Sequence, residues 1–223
     1  MEIAVMFLRK HKNAKLAAEK EKNSFNHLLS VAEKLPVNAL PDLIRAIGRP
    51  VQSEYLLAVA EEGTDAREDL TPESFFFEKL MLVKSYEVMK KNELKGVDYP
   101  LSLACDMVLP WPWSLTRFID NVSSIGTQKG TPWKQDSVNH YVELWLPWRI
   151  GFVQGGNHSI CAGILAGEGT LIPKHVYDMS YLFELIRTDG LHWYVEGNKK
   201  ETVKSGRTAA IFEIGRLINN NLV

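Results

Sequence analysis

The pattern of hydrophobic and polar positions divides the chain into a helical first part and a mixed second part. Residues 1–98 are rich in Ala, Lys, Glu and Leu, which favour helices. In this part Gly48 suits a helix C-terminus and Thr71 an N-cap, while Phe76 and Leu80 share one helical face. The pattern predicts four helices, with breaks near residues 12, 37, 65 and 96.

After the helical part, Pro, Trp, Gly and β-branched residues replace the helix formers. Short apolar runs separated by turn signals predict strands over residues 104–109, 141–146 and 149–154, with the last two paired as a hairpin. Helical spacing predicts one helix after Ser114 and another over residues 207–220.

These elements indicate an α+β fold. We expect a helical region over residues 1–98, followed over residues 99–223 by a small mixed-sheet domain with a C-terminal helix. Hydrophobic residues make up 45% of the chain and charged residues 24%, which is ordinary for a globular protein.

Residues 150–178 combine a strand, a glycine turn, a short helix and a further strand. Gly155 and Gly156 end the first strand, helical spacing begins at Ile160, and the polar residues 157–159 fall where the helix begins. A helix N-terminus carries unpaired N–H groups and partial positive charge, and glycine lets a ligand approach the backbone. The stretch predicts a phosphate site, or else a turn whose polar residues only cap the helix.

Residues 104–178 resemble the ParB/sulfiredoxin superfamily in the order of their elements. The turn reads GGNHS, the helix after it ICAGILAGEG, and the next strand IPKHV. The resemblance implies nucleotide phosphate binding at the turn, since ParB-type proteins bind and hydrolyse CTP and sulfiredoxin uses ATP. The stretch LPDLIRAIGRPVQSEYLLAVA is similar to a bacterial family of unknown function, which implies no activity.

Two positions depart from the superfamily pattern. Ser159 stands where an arginine usually follows the histidine, which removes a bidentate phosphate partner. Arg149, Lys174 or Arg117 could supply that charge. Asn157 stands where sulfiredoxin has its reactive cysteine, so sulfiredoxin chemistry is not expected.

The turn residues are the first candidates for chemistry. His158 would contact a phosphate or take a proton, or else be a turn histidine bonded to the backbone. Gly155, Gly156, Asn157 and Ser159 would offer backbone N–H groups and short polar contacts to phosphate, or form an ordinary capped turn.

Further candidates lie outside the turn. Arg117 and Asp120 are three positions apart in the helix that borders the pocket in the ParB-like layout, and a surface ion pair is the alternative for them. Loop tryptophans can stack on a base or cover the edge of the core, and Trp148 is the candidate ligand contact among them. The loop tryptophans are Trp111, Trp113, Trp133 and Trp148.

Asp136, Asn139 and His140 precede the predicted hairpin, where they could bind a metal or act as a base and its orienting group. Polar residues are common at strand entries, and no H-x-x-x-H spacing indicates a metal site. We expect no metal held by protein side chains. Mg²⁺ bridging the phosphates of a nucleotide is the implied cofactor.

Charge and cysteine totals restrict the partners. Lys and Arg number 26 and Asp and Glu 27, a net charge of -1, which argues against a nucleic-acid or anionic-membrane partner. The two cysteines form no C-x-x-C, and no apolar run approaches the roughly 18 residues of a membrane span. We expect a cytoplasmic protein.

The expected function is binding of a nucleotide or another phosphorylated small molecule at residues 155–159, with hydrolysis or phosphate transfer. One alternative is a non-catalytic protein-interaction or regulatory module in which the ParB-like turn is only structural. A second alternative is a nuclease or nucleic-acid binder, which the neutral charge disfavours.

Overall fold

The computed structural model describes residues 2–63, 71–77, 86–96 and 98–221, and they form the expected α+β fold. The described helices are α1 (Glu2–Ala32), α2 (Leu40–Glu62), α3 (Pro72–Phe76), α4 (Tyr86–Lys91), α5 (Leu115–Ser124), α6 (Asn157–Ala166), α7 (Leu182–Leu185) and α8 (Gly206–Asn220). Among them, none is long and apolar enough to cross a membrane.

Three small sheets contain the described strands. The strands are β1 (Leu101–Ser102), β2 (Met107–Leu109), β3 (Tyr141–Leu146), β4 (Ile150–Gly155), β5 (Thr170–Leu171), β6 (His175–Asp178), β7 (Ile186–Thr188), β8 (His192–Val195) and β9 (Asn198–Thr202). The central sheet has the order β2-β4-β3-β6, in which β3 and β4 form the predicted antiparallel hairpin and the outer strands run parallel to their neighbours. β1 pairs with β5, and β7, β8 and β9 form an antiparallel sheet.

The central sheet buries both of its faces. On one face Trp145 and Phe152 join a cluster with side chains of α2, α3 and α8, including Phe212. On the other face Val153 packs with Ile160 of α6. Because side chains alternate along a strand, the near-continuous apolar run of β4 serves both layers.

Helices α1 and α2 pass through positions where the sequence predicted breaks. α1 continues past residue 12, and α2 continues past Gly48 and Pro50. Gly48 permits close packing, because a Cβ there would lie 2.2 Å from the Met107 Sδ atom. Pro50 removes one backbone donor, but α2 packs against β2 and α8 along its length. The predicted breaks near residue 12 and at Gly48 are therefore wrong.

Other element predictions hold in part. The break near residue 37 is confirmed, and the Ser74 N–H donates to Thr71 Oγ1 at 3.1 Å, which confirms the N-cap. The break near residue 65 and the position of Leu80 lie outside the described residues. The strand predicted over 104–109 begins only at Met107, because the preceding residues form a turn.

Residues of the two predicted regions share one hydrophobic cluster. Phe76 of α3 packs against Trp148 and Phe212, with ring centroids 4.8 and 5.6 Å away. The division at residue 98 stays a prediction.

Candidate functional site

The turn between β4 and α6 depends on Gly156. Its φ of 79° lies in the left-handed region, and a Cβ there would lie 2.3 Å from His140 Cδ2. Only glycine meets both demands without strain. α6 begins at Asn157, so the turn ends at the N-terminus of a helix of 10 residues, as the sequence predicted.

A cavity of about 350 Å³ opens at this N-terminus. It lies between the glycine turn, the Trp-rich loop before α5, and α5 itself. The lining residues are Trp111, Trp113, Arg117, Asn121, Asn139, Gln154, Gly155, Gly156, Asn157, His158 and Ser159. Among these described residues Arg117 carries the formal charge and no carboxylate is present.

Asn157 and His158 hold the Trp-rich loop against the turn. The Trp111 N–H donates to Asn157 Oδ1 at 2.8 Å, and the Ser114 N–H donates to His158 Nε2 at 3.1 Å. Both side chains are buried, and the Trp113 ring stands edge-on to His158 with centroids 5.4 Å apart. These two hydrogen bonds attach the Trp-rich loop to the first turn of α6.

The Ser114 contact bears on the proton-transfer role predicted for His158. A ring nitrogen that accepts a backbone N–H is not available at that atom to take a proton from a ligand. The geometry at Nε2 matches the alternative of a turn histidine bonded to the backbone. Catalysis by His158 stays a prediction.

The His140 side chain supports the turn through hydrogen bonds. Its Nδ1 accepts the Asp136 N–H at 3.0 Å, so the neutral ring carries its proton on Nε2, which lies 2.7 Å from Ser159 Oγ. Ser159 in turn donates to the Gly156 carbonyl at 3.1 Å. Burial lowers the pKa of His140, against the opposing effect of the Asp136 charge. The Ser159–His140 pair therefore has the wrong tautomer to activate a serine nucleophile.

Two donors that line the cavity have no hydrogen-bond acceptor or ion-pair partner among the described residues. The Arg117 guanidinium lies over the Trp113 ring, 5.1 Å from its centroid, and makes no hydrogen bond or ion pair there. Asn157 is only 6% exposed, and its Nδ2 makes no hydrogen bond although Oδ1 does. Asn157 Nδ2 is therefore an unused donor at the cavity surface, where solvent or a ligand atom can reach it.

The structure places three predicted site residues away from this cavity. Trp148 is 1% exposed and donates from Nε1 to the Phe212 carbonyl in the main core. Arg149 pairs with the buried Asp106, with Nε 3.2 Å from Oδ1. Asp120 lies exposed on α5 and is not among the described lining residues. Gly155, Gly156, Asn157, His158, Ser159 and Arg117 are brought together.

Asn121 and Gln154 line the cavity, although the sequence did not predict them as site residues. Gln154 is a polar residue at the end of the apolar run of β4, directly before the glycine pair, and that change of polarity is a signal that the sequence offered. Asn121 lies one helical turn after Arg117, so it follows once Arg117 is placed.

Comparison with known proteins gives a family and no activity. A family model described as a family of unknown function, DUF6710, matches residues 8–223. The chain belongs to this family. No curated protein and no solved structure matches the chain significantly. The DUF6710 description assigns no ligand, so any function has to be inferred from the cavity geometry. The ParB/sulfiredoxin resemblance stays a prediction.

Proposed function

We propose that this DUF6710 protein binds a nucleotide or another phosphorylated small molecule in the cavity at the α6 N-terminus. The observation that carries the proposal is the pair of unpartnered donors, Arg117 and Asn157 Nδ2, on the wall of one cavity. A phosphate group accepts hydrogen bonds from both kinds of donor.

The backbone contributes to the same site. The first N–H groups of α6 have no acceptor within the helix, and the helix dipole places partial positive charge there. Gly155 and Gly156 line the cavity, so their backbone is part of the same site. The ParB/sulfiredoxin resemblance supports the same ligand class at the same turn.

The described lining residues do not fit a Mg²⁺ ion held by protein side chains, because they include no carboxylate. Mg²⁺ would enter bound to the phosphates of the ligand. With His158 Nε2 and His140 Nδ1 each accepting a backbone N–H, the proposal is for binding without a catalytic base. The cytoplasm, where nucleotides are abundant, is the compartment that goes with it.

A thermal-shift titration with nucleotides and inorganic phosphate tests the proposal. A ligand at 100 times its dissociation constant adds about 2.7 kcal/mol to stability, which is readily measured. We expect the shift to be lost in Arg117→Gln and retained in Arg187→Gln, an exposed arginine on β7. Equal shifts in both variants, or none in the native protein, would refute binding at this cavity.

A second candidate function is a protein-interaction module. Apolar side chains are exposed on segments next to the cavity: Trp113 is 37%, Ile119 54% and Val138 95% exposed. This alternative predicts that Ile119→Lys and Val138→Lys abolish capture of a protein partner from a lysate, while Arg117→Gln leaves capture unchanged.

A further inference from the structure

We propose that the ligand carries a single phosphoryl group joined to a nucleobase: a nucleoside monophosphate rather than a triphosphate. This inference rests on the proposed function and narrows it. It contrasts with the CTP and ATP that the ParB/sulfiredoxin resemblance implies, so the two ligand classes can be separated by experiment.

Charge balance is the first argument. A phosphate monoester carries about 1.5 to 2 negative charges near neutral pH, and a triphosphate carries roughly twice that. The described cavity offers one guanidinium, from Arg117, and a helix N-terminus equivalent to about half a charge. These nearly balance one phosphoryl group. They leave a triphosphate with about two uncompensated charges, and no lining carboxylate is described that could retain Mg²⁺ beside them.

The neutral amide side chains at the cavity are the second argument. Asn139 and Gln154 line the cavity from the open end of the β3–β4 hairpin, and neither side-chain amide has a hydrogen-bond partner among the residues described. A carboxamide presents a donor and an acceptor side by side, which matches the edge of a nucleobase. The cavity lining therefore includes a guanidinium on α5 and two neutral amides at the hairpin, which we call the amide wall.

Ring contacts and size agree with this ligand. Trp111 and Trp113 line the cavity, and Trp113 keeps 37% of its surface exposed with the Arg117 guanidinium over its ring. Indole faces stack on bases irrespective of base identity. A volume of about 350 Å³ is near the lower end for ligand pockets, which run from roughly 300 to 1,000 Å³.

Isothermal titration of the native protein tests the inference. The probes are the four ribonucleoside 5′-monophosphates, the matching triphosphates with and without Mg²⁺, ribose 5-phosphate and inorganic phosphate. We expect one monophosphate to bind at least tenfold more tightly than its triphosphate and than ribose 5-phosphate. Tighter triphosphate binding would overturn the inference and leave the proposed function standing. Equal binding of ribose 5-phosphate would exclude the base contact. No binding by any probe would refute the proposed function itself.

Variants of the amide wall provide the second measurement. Gln154→Ala and Asn139→Ala remove exposed side chains that make no hydrogen bond with the described residues, so both variants should fold. We expect about a tenfold loss of monophosphate affinity, the equivalent of one base contact, with phosphate affinity unchanged. Gln135→Ala, on a residue that contacts Ile172 away from the cavity, is the matched amide control and should change neither. Unchanged monophosphate affinity in both wall variants would overturn the base assignment.

Discussion

The N-termini of α6 and α8 differ in what occupies them. At α8 the Gly206 N–H donates to Glu21 Oε2 at 2.7 Å, and the Arg207 N–H donates to Ser205 Oγ at 3.2 Å. At α6 the N-cap is Gly156, which has no side chain to accept a bond. The first terminus is closed by the protein's own carboxylate and hydroxyl, and the second opens into a cavity.

The difference separates a terminus with a structural role from the terminus at which we propose ligand binding. Glu21 supplies α8 with the negative charge that a helix N-terminus favours, and it ties α1 to α8 at the same time. At α6 the surrounding groups are donors, Arg117 and Asn157 Nδ2, so the partner that we propose there is an anion. The substitutions that follow change residues at these two termini or in contact with them.

Replacing Gly156 by Ala should have the largest effect. The left-handed φ costs about 1–2 kcal/mol for an L-residue, and overpacking against the His140 ring adds about 1–3 kcal/mol. Gly167→Ala at the other end of α6 is the control, because φ is 68° but no atom lies within 4 Å of the added Cβ. Urea unfolding should show a clearly larger loss for Gly156→Ala, and equal losses would contradict the tight turn.

Two substitutions of Asn157 separate its structural role from its binding role. Asn157→Ala removes the acceptor of the Trp111 N–H, and we expect a loss of about 1–3 kcal/mol in the free energy of unfolding. Asn157→Asp keeps that acceptor but places a negative charge at the cavity, so it should lose less stability and abolish phosphate binding. Phosphate binding by the Asp variant, measured by calorimetry, would show that Nδ2 does not face the ligand.

Local sequence patterns account for the turn, the hairpin before it and the helix after it. The β3–β4 hairpin, the glycine pair and α6 all follow from positions within a few residues of one another. Leu165 shows the limit of such patterns, because it shares the apolar spacing of α6 with Ile160 yet is 44% exposed.

Contacts between distant segments could not be predicted from the sequence. Trp148 and Arg149 lie beside the loops in the sequence, but a carbonyl 64 positions away and a carboxylate 43 positions away determine where their side chains go. The same holds for His158, whose partner Ser114 is 44 positions away. In each case the residue type indicated a polar or aromatic contact, and only the fold shows which distant group makes that contact.

The pH dependence of the free energy of unfolding tests the role of His140, which contacts Ser159 in the first turn of α6. Burial lowers the pKa of His140 in the folded state, so the unfolded chain binds the proton more readily. The resulting stability is present above the unfolded pKa of about 6.5 and is lost as the pH falls through the lowered folded value. In urea titrations between pH 8 and 5, His140→Asn should flatten this loss, whereas His27→Asn, an exposed position on α1, should retain it. A flattened profile in both variants would assign the dependence to other groups.

The smallest effects on stability should come from the charged residues that distinguish the two termini. Glu21→Gln weakens the closure of α8 and should cost about 0.3–1 kcal/mol, because the dipole interaction loses its charge. Arg117→Gln removes a guanidinium whose only described contact is the Trp113 ring, and it should change stability by less than about 0.5 kcal/mol while reducing phosphate affinity. Paired urea and phosphate titrations of the two variants measure both quantities. If Glu21→Gln impaired phosphate binding as much as Arg117→Gln did, the assignment of one terminus to structure and the other to a ligand would be wrong.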